Sequence, residues 1–448
     1  MPPGPRGLET LGFFGAGSRA GILGFLVRTS RRYGPVCGFG ILGARIYIID
    51  EPALIEEILV RRQHEFARDT GATLLRELVG DGLLTSEEPR HRERRRMLQP
   101  AFHRAQIATY AQAMVGEAAQ LAADWATRPS VDVGADMRRL TLAVVGTALF
   151  GADMRGSADA VAAALRRVVR KGAWIAPLLA LGEPLLRAYR RRFPDGPSLF
   201  FGAERRELDA VIAPIVARRR AAEGRDIVSL LLTERDERGA ALNDDDLRNE
   251  IVTLVLAGHE TTAAALTWTW YLLAQHPDAA RKLRAELDAV LGDRDPTLDD
   301  VARLPYTAAV FNETLRLYPP ALAFGRRPIT DVALGGYTIP RGSSIFLSPY
   351  ITQRNPRWFA DPEAFLPERW DGPAPAKFTF FPFGGGAKMC IGEPFSRLEG
   401  VLVIATLARR LDLTLVDATP VEIAPGAALG PSRPIMMRPI QRIAEPVI

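Results

Sequence analysis

Phe381-Pro-Phe-Gly-Gly-Gly-Ala-Lys-Met-Cys-Ile-Gly392 is the stretch on which the reading of this chain turns. Gly384 to Gly386 follow Pro382, and such a backbone can take positive φ and pass close to a flat object. Beyond the loop, Glu393 and Pro394 suit a first helical turn, and Phe395, Leu398, Val401, Leu402 and Ile404 share one apolar face. Cys390 therefore stands at a helix N-terminus, where free amide N–H groups and the positive dipole end favour a thiolate. A thiolate so held is a soft ligand suited to iron. The other cysteine of the 448-residue chain, Cys37, has no such setting.

A chain of this length commonly splits into domains, yet no linker, repeat or low-complexity run divides it. With 47% hydrophobic and 24% charged residues, its composition is that of a folded globular protein. The net charge of +5 is spread along helical segments rather than clustered with aromatics. That argues against nucleic acid and favours an acidic protein partner. Two distant cysteines make no disulfide framework and indicate a reducing compartment. Residues 1–32 read as a proline- and glycine-rich lead-in, and 33–448 as one folding unit. Leu11 to Val27 is too short and irregular to span a bilayer. A monomeric cytoplasmic protein without a membrane anchor is expected.

Val36 to Phe39 and Arg45 to Ile49 predict paired strands, and Pro52 opens a helix. Leu74 to Ser86 reads as a loop around the turn signal Gly80-Asp-Gly82. His91 and Arg95 share a helix face at i,i+4 spacing, within a run whose commonest fate is a solvated basic helix. Residues 105–224 are helix-periodic, with Trp174 to Leu186 and Phe193 to Phe201 as apolar pieces flanking loops. Asn243 is an N-cap followed by three aspartates, and Pro277 closes a segment long enough for a helix of about 50 Å. In its apolar middle, Ala257-Gly258-His259-Glu260-Thr261-Thr262 combines a helix weakener with an ionisable acid. The spacing predicts a break there, with Thr261 turned from backbone bonding toward a bound water or dioxygen. Val332 to Tyr350 reads as a β-hairpin system, and Leu411 to Val416 and Ile435 to Pro439 as late strands.

The spacing Phe383-x-x-Gly386-x-x-x-Cys390-x-Gly392 resembles the haem-binding loop of the cytochrome P-450 superfamily, the haem-thiolate monooxygenases. Four such fixed residues should coincide in about one chain in a thousand of this length. The resemblance runs from about residue 33 to the end of the chain. It implies a mainly α fold, about a dozen helices around a buried haem b with a small β subdomain. By the same resemblance Cys390 is the axial iron ligand, Phe383 shields the sulfur, and Gly392 and its neighbours make room for the porphyrin. His91, Arg95 and Arg326 would meet haem propionates, with Arg327 the rival of Arg326. Lys388 stands where the family usually has Arg or His; as a point charge it can still pair with a carboxylate.

Glu260 and Thr261 match the family's acid–alcohol pair, which delivers protons during oxygen activation. Ala257 and Gly258 belong to the haem-facing part of that motif. Glu313, Arg316 and Arg369 match its buried structural triad. Ala321, Leu322, Ala323, Phe324 and Leu429, with Ala257, are the implied substrate wall, and the apolar pieces flanking residues 105–224 are the implied lid. The expected activity inserts one atom of O2 into an apolar lipid, terpenoid or polyketide-like molecule by hydroxylation or epoxidation. Electrons would come ultimately from NAD(P)H through a separate ferredoxin reductase and an acidic ferredoxin, for which Lys388 is a candidate docking charge. The alternatives are a peroxygenase, an isomerising haem-thiolate enzyme or a haem sensor, and the intact acid–alcohol pair weighs against the first two.

Overall fold

The computed structural model describes residues 1–14, 19–41, 43–172, 192, 198–221, 226–235, 239 and 241–442. Trp174 to Leu186, and Phe193 to 197 of the second lid piece, lie outside the described residues.

The molecule is mainly helical. The helices that frame its interior are α1 (Arg19–Tyr33), α2 (Pro52–Glu56), α3 (Thr70–Val79), α4 (Arg90–Leu98), α5 (Arg104–Trp125) and α6 (Val133–Phe150). Residues 158–172 form α7, followed by α8 (Gly202–Ala221), α9 (Ile227–Thr233) and α10 (Asp244–Gln275). The last four are α11 (Pro277–Leu291), α12 (Pro305–Leu317), α13 (Pro349–Thr352) and α14 (Glu393–Arg410). Helix α10 starts as the sequence predicts, with Asn243 Oδ1 accepting from the Asp246 N–H at 2.7 Å. Its sides are closed by α6, α12 and α14, and it runs through the largest hydrophobic core. An apolar helix can be stable there because neighbours cover most of its surface.

Strands flank the helices. β1 (Val36–Ile41), β2 (Ala44–Ile49), β8 (Ser344–Leu347), β5 (Phe324–Pro328) and β3 (Phe66–Arg68) form one sheet in that spatial order. β2 and β8 are parallel, pairing Ile46 with Ser344 and Ile49 with Leu347. β3 and β5 are antiparallel and bring Arg68 opposite Arg326. β4 (Val131–Asp132), β12 (Met436–Gln441) and β9 (Leu411–Leu415) make a second sheet. β6 (Val332–Leu334) pairs with β7 (Tyr337–Ile339), and β10 (Ile423–Pro425) with β11 (Leu429–Pro431). Within residues 1–32, Phe25 and Leu26 of α1 are buried with Cys37, Phe39 and Ile48. Among the described residues, no helix is long and apolar enough to cross a membrane.

One expectation changes here. Leu74 to Val79 is helical rather than loop, because Asp69 caps α3 by accepting from the Ala72 N–H at 3.3 Å. The turn begins only at Gly80, with φ of 80°.

Candidate active site

The cysteine loop is shaped by close backbone contacts. The Cys390 N–H donates to Phe383 O at 3.0 Å and the Met389 N–H to Gly386 O at 3.1 Å, folding the loop back on itself. Gly386 has φ of +71°, and a Cβ there would lie 1.8 Å from the Leu59 carbonyl oxygen. This position therefore requires glycine on two independent grounds. The start of the loop is tied down by Gln353, whose Oε1 accepts from the Phe381 N–H at 3.0 Å. Gln353 also donates to the Leu315 and Arg316 carbonyls, each at 3.0 Å, and so links the loop to α12. The Arg397 guanidinium stacks 4.9 Å from the Phe383 ring centre.

Cys390 is exposed although it lies deep in the fold, so its sulfur faces an interior space. Burial pushes the thiol up, while N–H groups of Gly392 and Glu393 and the Arg95 charge pull the other way. Desolvation is the largest of these influences, and a cation at the sulfur would act with the donors against it. Cys37 differs. It is buried in β1 with its thiol pushed up to about 12 by desolvation.

Basic residues from separate elements surround this interior. Arg326 is only 6% exposed, and its one side-chain hydrogen bond among the described residues goes from Nη1 to its neighbour's carbonyl, Gly325 O, at 2.9 Å. Arg68 opposes it across the sheet, its pKa lowered to about 10 by burial and by Arg326. Arg68 Nε donates to Ser86 O at 3.2 Å, and its own N–H donates to Glu87 Oε1 at 2.5 Å. Arg95 Nη1 donates to Met389 O, beside the cysteine, at 2.6 Å. His91 is buried, pairs with Glu88 at 3.2 Å, and is pushed down to about 4 by desolvation and then by Arg68. Lys388 pairs with Glu87 at 2.5 Å, with 10% of its side chain exposed. It is therefore no docking charge on the surface. Arg68 and Glu87 had not been singled out in the sequence, because only the register of β3 against β5 brings them in.

Across the interior, α10 supplies the other face. In a helix whose neighbouring positions are buried, Ala257 is exposed and Gly258, Glu260 and Thr261 are half-buried. The helix is continuous there, and the expected break is absent: the Thr261 hydroxyl donates to Ala257 O at 2.7 Å, bonding back along the helix. Glu260 lies 3.8 Å from Nε2 of His259, which burial holds neutral. Fully buried Glu399 on α14, near Thr262, has a carboxyl that desolvation pushes well above its ordinary range. Ala321 to Phe324 are half-buried as β5 begins. Leu429 is buried, its carbonyl accepting from Trp268 Nε1 at 2.9 Å.

The triad is assembled in full. Arg316 donates from Nε and Nη2 to Glu313 at 2.9 and 2.8 Å, and Arg369 Nε reaches Glu313 Oε1 at 3.1 Å.

A mainly helical array crossed by one long internal helix, with a glycine loop presenting a cysteine to the interior, is the architecture of haem-thiolate oxidases. A family model for cytochrome P450 matches residues 2–438, and the chain belongs to that family. Its relatives include cyclooctatin synthase of Streptomyces melanosporofaciens, 37% identical over 88% of this chain and 87% of that protein. Cyclooctat-9-en-7-ol 5-monooxygenase of the same organism is 33% identical, covering 84% and 82%. Pentalenene oxygenase of Streptomyces avermitilis is 32% identical over 84% of each chain. The protein is accordingly a cytochrome P450 monooxygenase, an oxidoreductase that uses haem iron, O2 and a redox partner on an apolar substrate.

Proposed function

We propose that Cys390 Sγ would hold the iron of haem b, with the cysteine loop on one side and the Ala257–Thr261 face of α10 on the other. The observation that carries this reading is the sulfur itself, exposed to the interior at the end of a loop that only glycine can form. The donor chemistry fits the group. A soft sulfur suits iron, and buried Arg326 and Arg68, with Arg95, suit the carboxylates of iron protoporphyrin IX. His91 and Lys388 complete that basic lining, Lys388 sharing its charge with Glu87. When bound, haem supplies the oxygen activation that places one atom of O2 in the substrate and releases the other as water.

The chain's own residues do the rest. Phe383 and Arg397 cover the sulfur side. Gly258 keeps α10 close to its neighbour, since a Cβ there would meet Val145 at 3.0 Å. Thr261 releases Ala257 O to orient a water or dioxygen, and Glu260 passes protons toward it. Ala257, Ala321, Leu322, Ala323 and Phe324 exclude water from the substrate side, with Leu429 supporting the wall through Trp268. The relatives' names favour a terpenoid over other lipids or a polyketide, with hydroxylation or epoxidation as the reaction. Electrons pass from NAD(P)H through a reductase and a ferredoxin to this cytoplasmic, monomeric enzyme. Residues 33–448 act as one folding unit, with 1–32 packed onto it as a lead-in.

The test is the absorption spectrum of the reduced protein under carbon monoxide. The far-red Soret band of thiolate ligation is expected, and Cys390→Ser should abolish both the band and turnover. A histidine-type band in the parent protein, or an unchanged thiolate band in the variant, would overturn the ligand assignment.

A further inference from the structure

A cavity of about 700 Å3, whose wall does not include the cysteine loop, is formed by α6, α7, the β10–β11 hairpin and Glu260 of α10. Five arginines line it, and their partners differ. Arg433 is held by Asp417 at 3.0 Å, and Arg167 by Glu204 and Glu207. Arg138 on α6, and Arg166 and Arg170 one turn apart on α7, make no ion pair and no side-chain hydrogen bond among the described residues. Two acids share the cavity. Asp132 is occupied in capping α6, accepting from the Ala135 N–H at 3.1 Å. Glu260 lies beside His259, and that imidazole is held neutral by burial. Gly134, in the first turn of 18-residue α6, lines the same wall and adds the positive end of its dipole.

Three guanidiniums with no ion pair among the described residues face one uncommitted carboxylate, Glu260, so the concave space keeps an excess of positive charge and focuses a positive field. Such forks match the oxygens of phosphate or carboxylate better than those of any neutral ligand. We propose that this cavity is a binding site for a small oxyanion, a phosphate- or carboxylate-bearing molecule, separate from the site of oxidation. None of Cys390, Ala257, Thr261 or Ala321 to Phe324 lines it. Because Glu260 does, an occupant sits next to the acid assigned above to proton transfer. That consequence rests on the proposed function, whereas the binding itself does not.

The experiment is calorimetric titration of the purified haem-loaded enzyme with inorganic phosphate and, separately, with succinate, each against chloride at matched ionic strength. One saturable site is expected for at least one of the two anions. Phosphate alone would assign a phosphate-bearing ligand and succinate alone a carboxylate. Arg166→Gln/Arg170→Gln, altering two exposed side chains, should weaken binding at least about tenfold, through two lost charge-assisted hydrogen bonds. The double variant should keep its Soret spectrum. The proposal fails if neither anion saturates, if chloride competes equally well, or if the double variant binds like the parent.

Discussion

Replacing Glu313 by Gln tests what holds the cysteine loop in place. Glu313 and Arg316 are both fully buried, with side-chain exposures of 0%. Glu313 accepts from Arg316 Nε and Nη2 at 2.9 and 2.8 Å, from the Leu366 N–H and Arg369 Nε at 3.1 Å each, and from Trp370 Nε1 at 3.0 Å. Arg316 directs its remaining N–H groups to the carbonyls of Gln353, Pro362 and Ala364, at 2.9, 2.7 and 2.8 Å. Glutamine removes the negative charge and turns an NH2 group toward donors, leaving two guanidiniums without neutralisation. Breaking a buried pair in this way costs about 3–5 kcal/mol. With a urea slope of about 3 kcal/mol/M or more for a chain this long, the unfolding midpoint should fall by about 1 M. Tryptophan fluorescence and far-UV circular dichroism should report the same shift, since Trp370 is a member of the network. The double variant Glu313→Gln/Arg316→Met, which removes both charges, should recover part of the loss. If Glu313→Gln moves the midpoint by less than about a third of the expected value, the network is not what fixes this region.

Thr261→Ala should leave substrate binding intact while product per reducing equivalent falls roughly tenfold and hydrogen peroxide appears instead, measured as the product-to-peroxide ratio. Unchanged coupling would place the proton route elsewhere. Gly386→Ala combines a left-handed φ, worth about 1–2 kcal/mol, with a clash against the Leu59 carbonyl. It should lower both the urea midpoint and the haem bound per chain, and wild-type values for both would refute the close-contact reading. Burial pushes the Glu250 carboxyl up from 4.5 to about 7, against the pull of Arg94 and with Asp246 and Asp81 adding to the rise. Between those values the folded protein holds a proton that the unfolded chain has released, so this group's contribution to stability falls as pH rises and is flat above about 7. The full effect is about 3 kcal/mol. His91, depressed to about 4, acts in the opposite sense over much of the same range. The informative quantity is therefore Glu250→Gln minus wild type, which should grow more favourable by about 3 kcal/mol between pH 4.5 and 8 in urea titrations. A difference independent of pH would show that Glu250 titrates normally.

What the sequence discloses here depends on whether the physics acts locally along the chain. The cysteine loop, the Asn243 cap, the Gly335-Gly336 turn inside the Val332 to Tyr350 hairpin system and the Glu313–Arg316 pair are all set by neighbours within a few residues. Each could be read directly and each is found in place. The turn glycines have φ of 55° and 81°, and the ion pair closes at 2.8 Å. The misread features depend on partners distant in sequence or on the balance between solvation and charge. Leu74 to Val79 looked irregular because its single cap, Asp69, precedes the stretch that was read as loop. The spacing predicts that Thr261 leaves the helix, but its hydroxyl finds an acceptor one turn back, Ala257 O at 2.7 Å, and α10 stays continuous. Lys388 could be placed two residues before the cysteine, yet nothing local shows that Glu87, 301 residues away, turns it inward. The same reasoning applies to charge state. Helix-terminus donors beside Cys390 are a local signal and legible, whereas the desolvation that opposes them is a property of the whole fold. Burial pushes the Cys390 thiol up, and a cation bound at the sulfur would pull it back down. The spacing of the motif could single out Cys390 but could not show the burial around it.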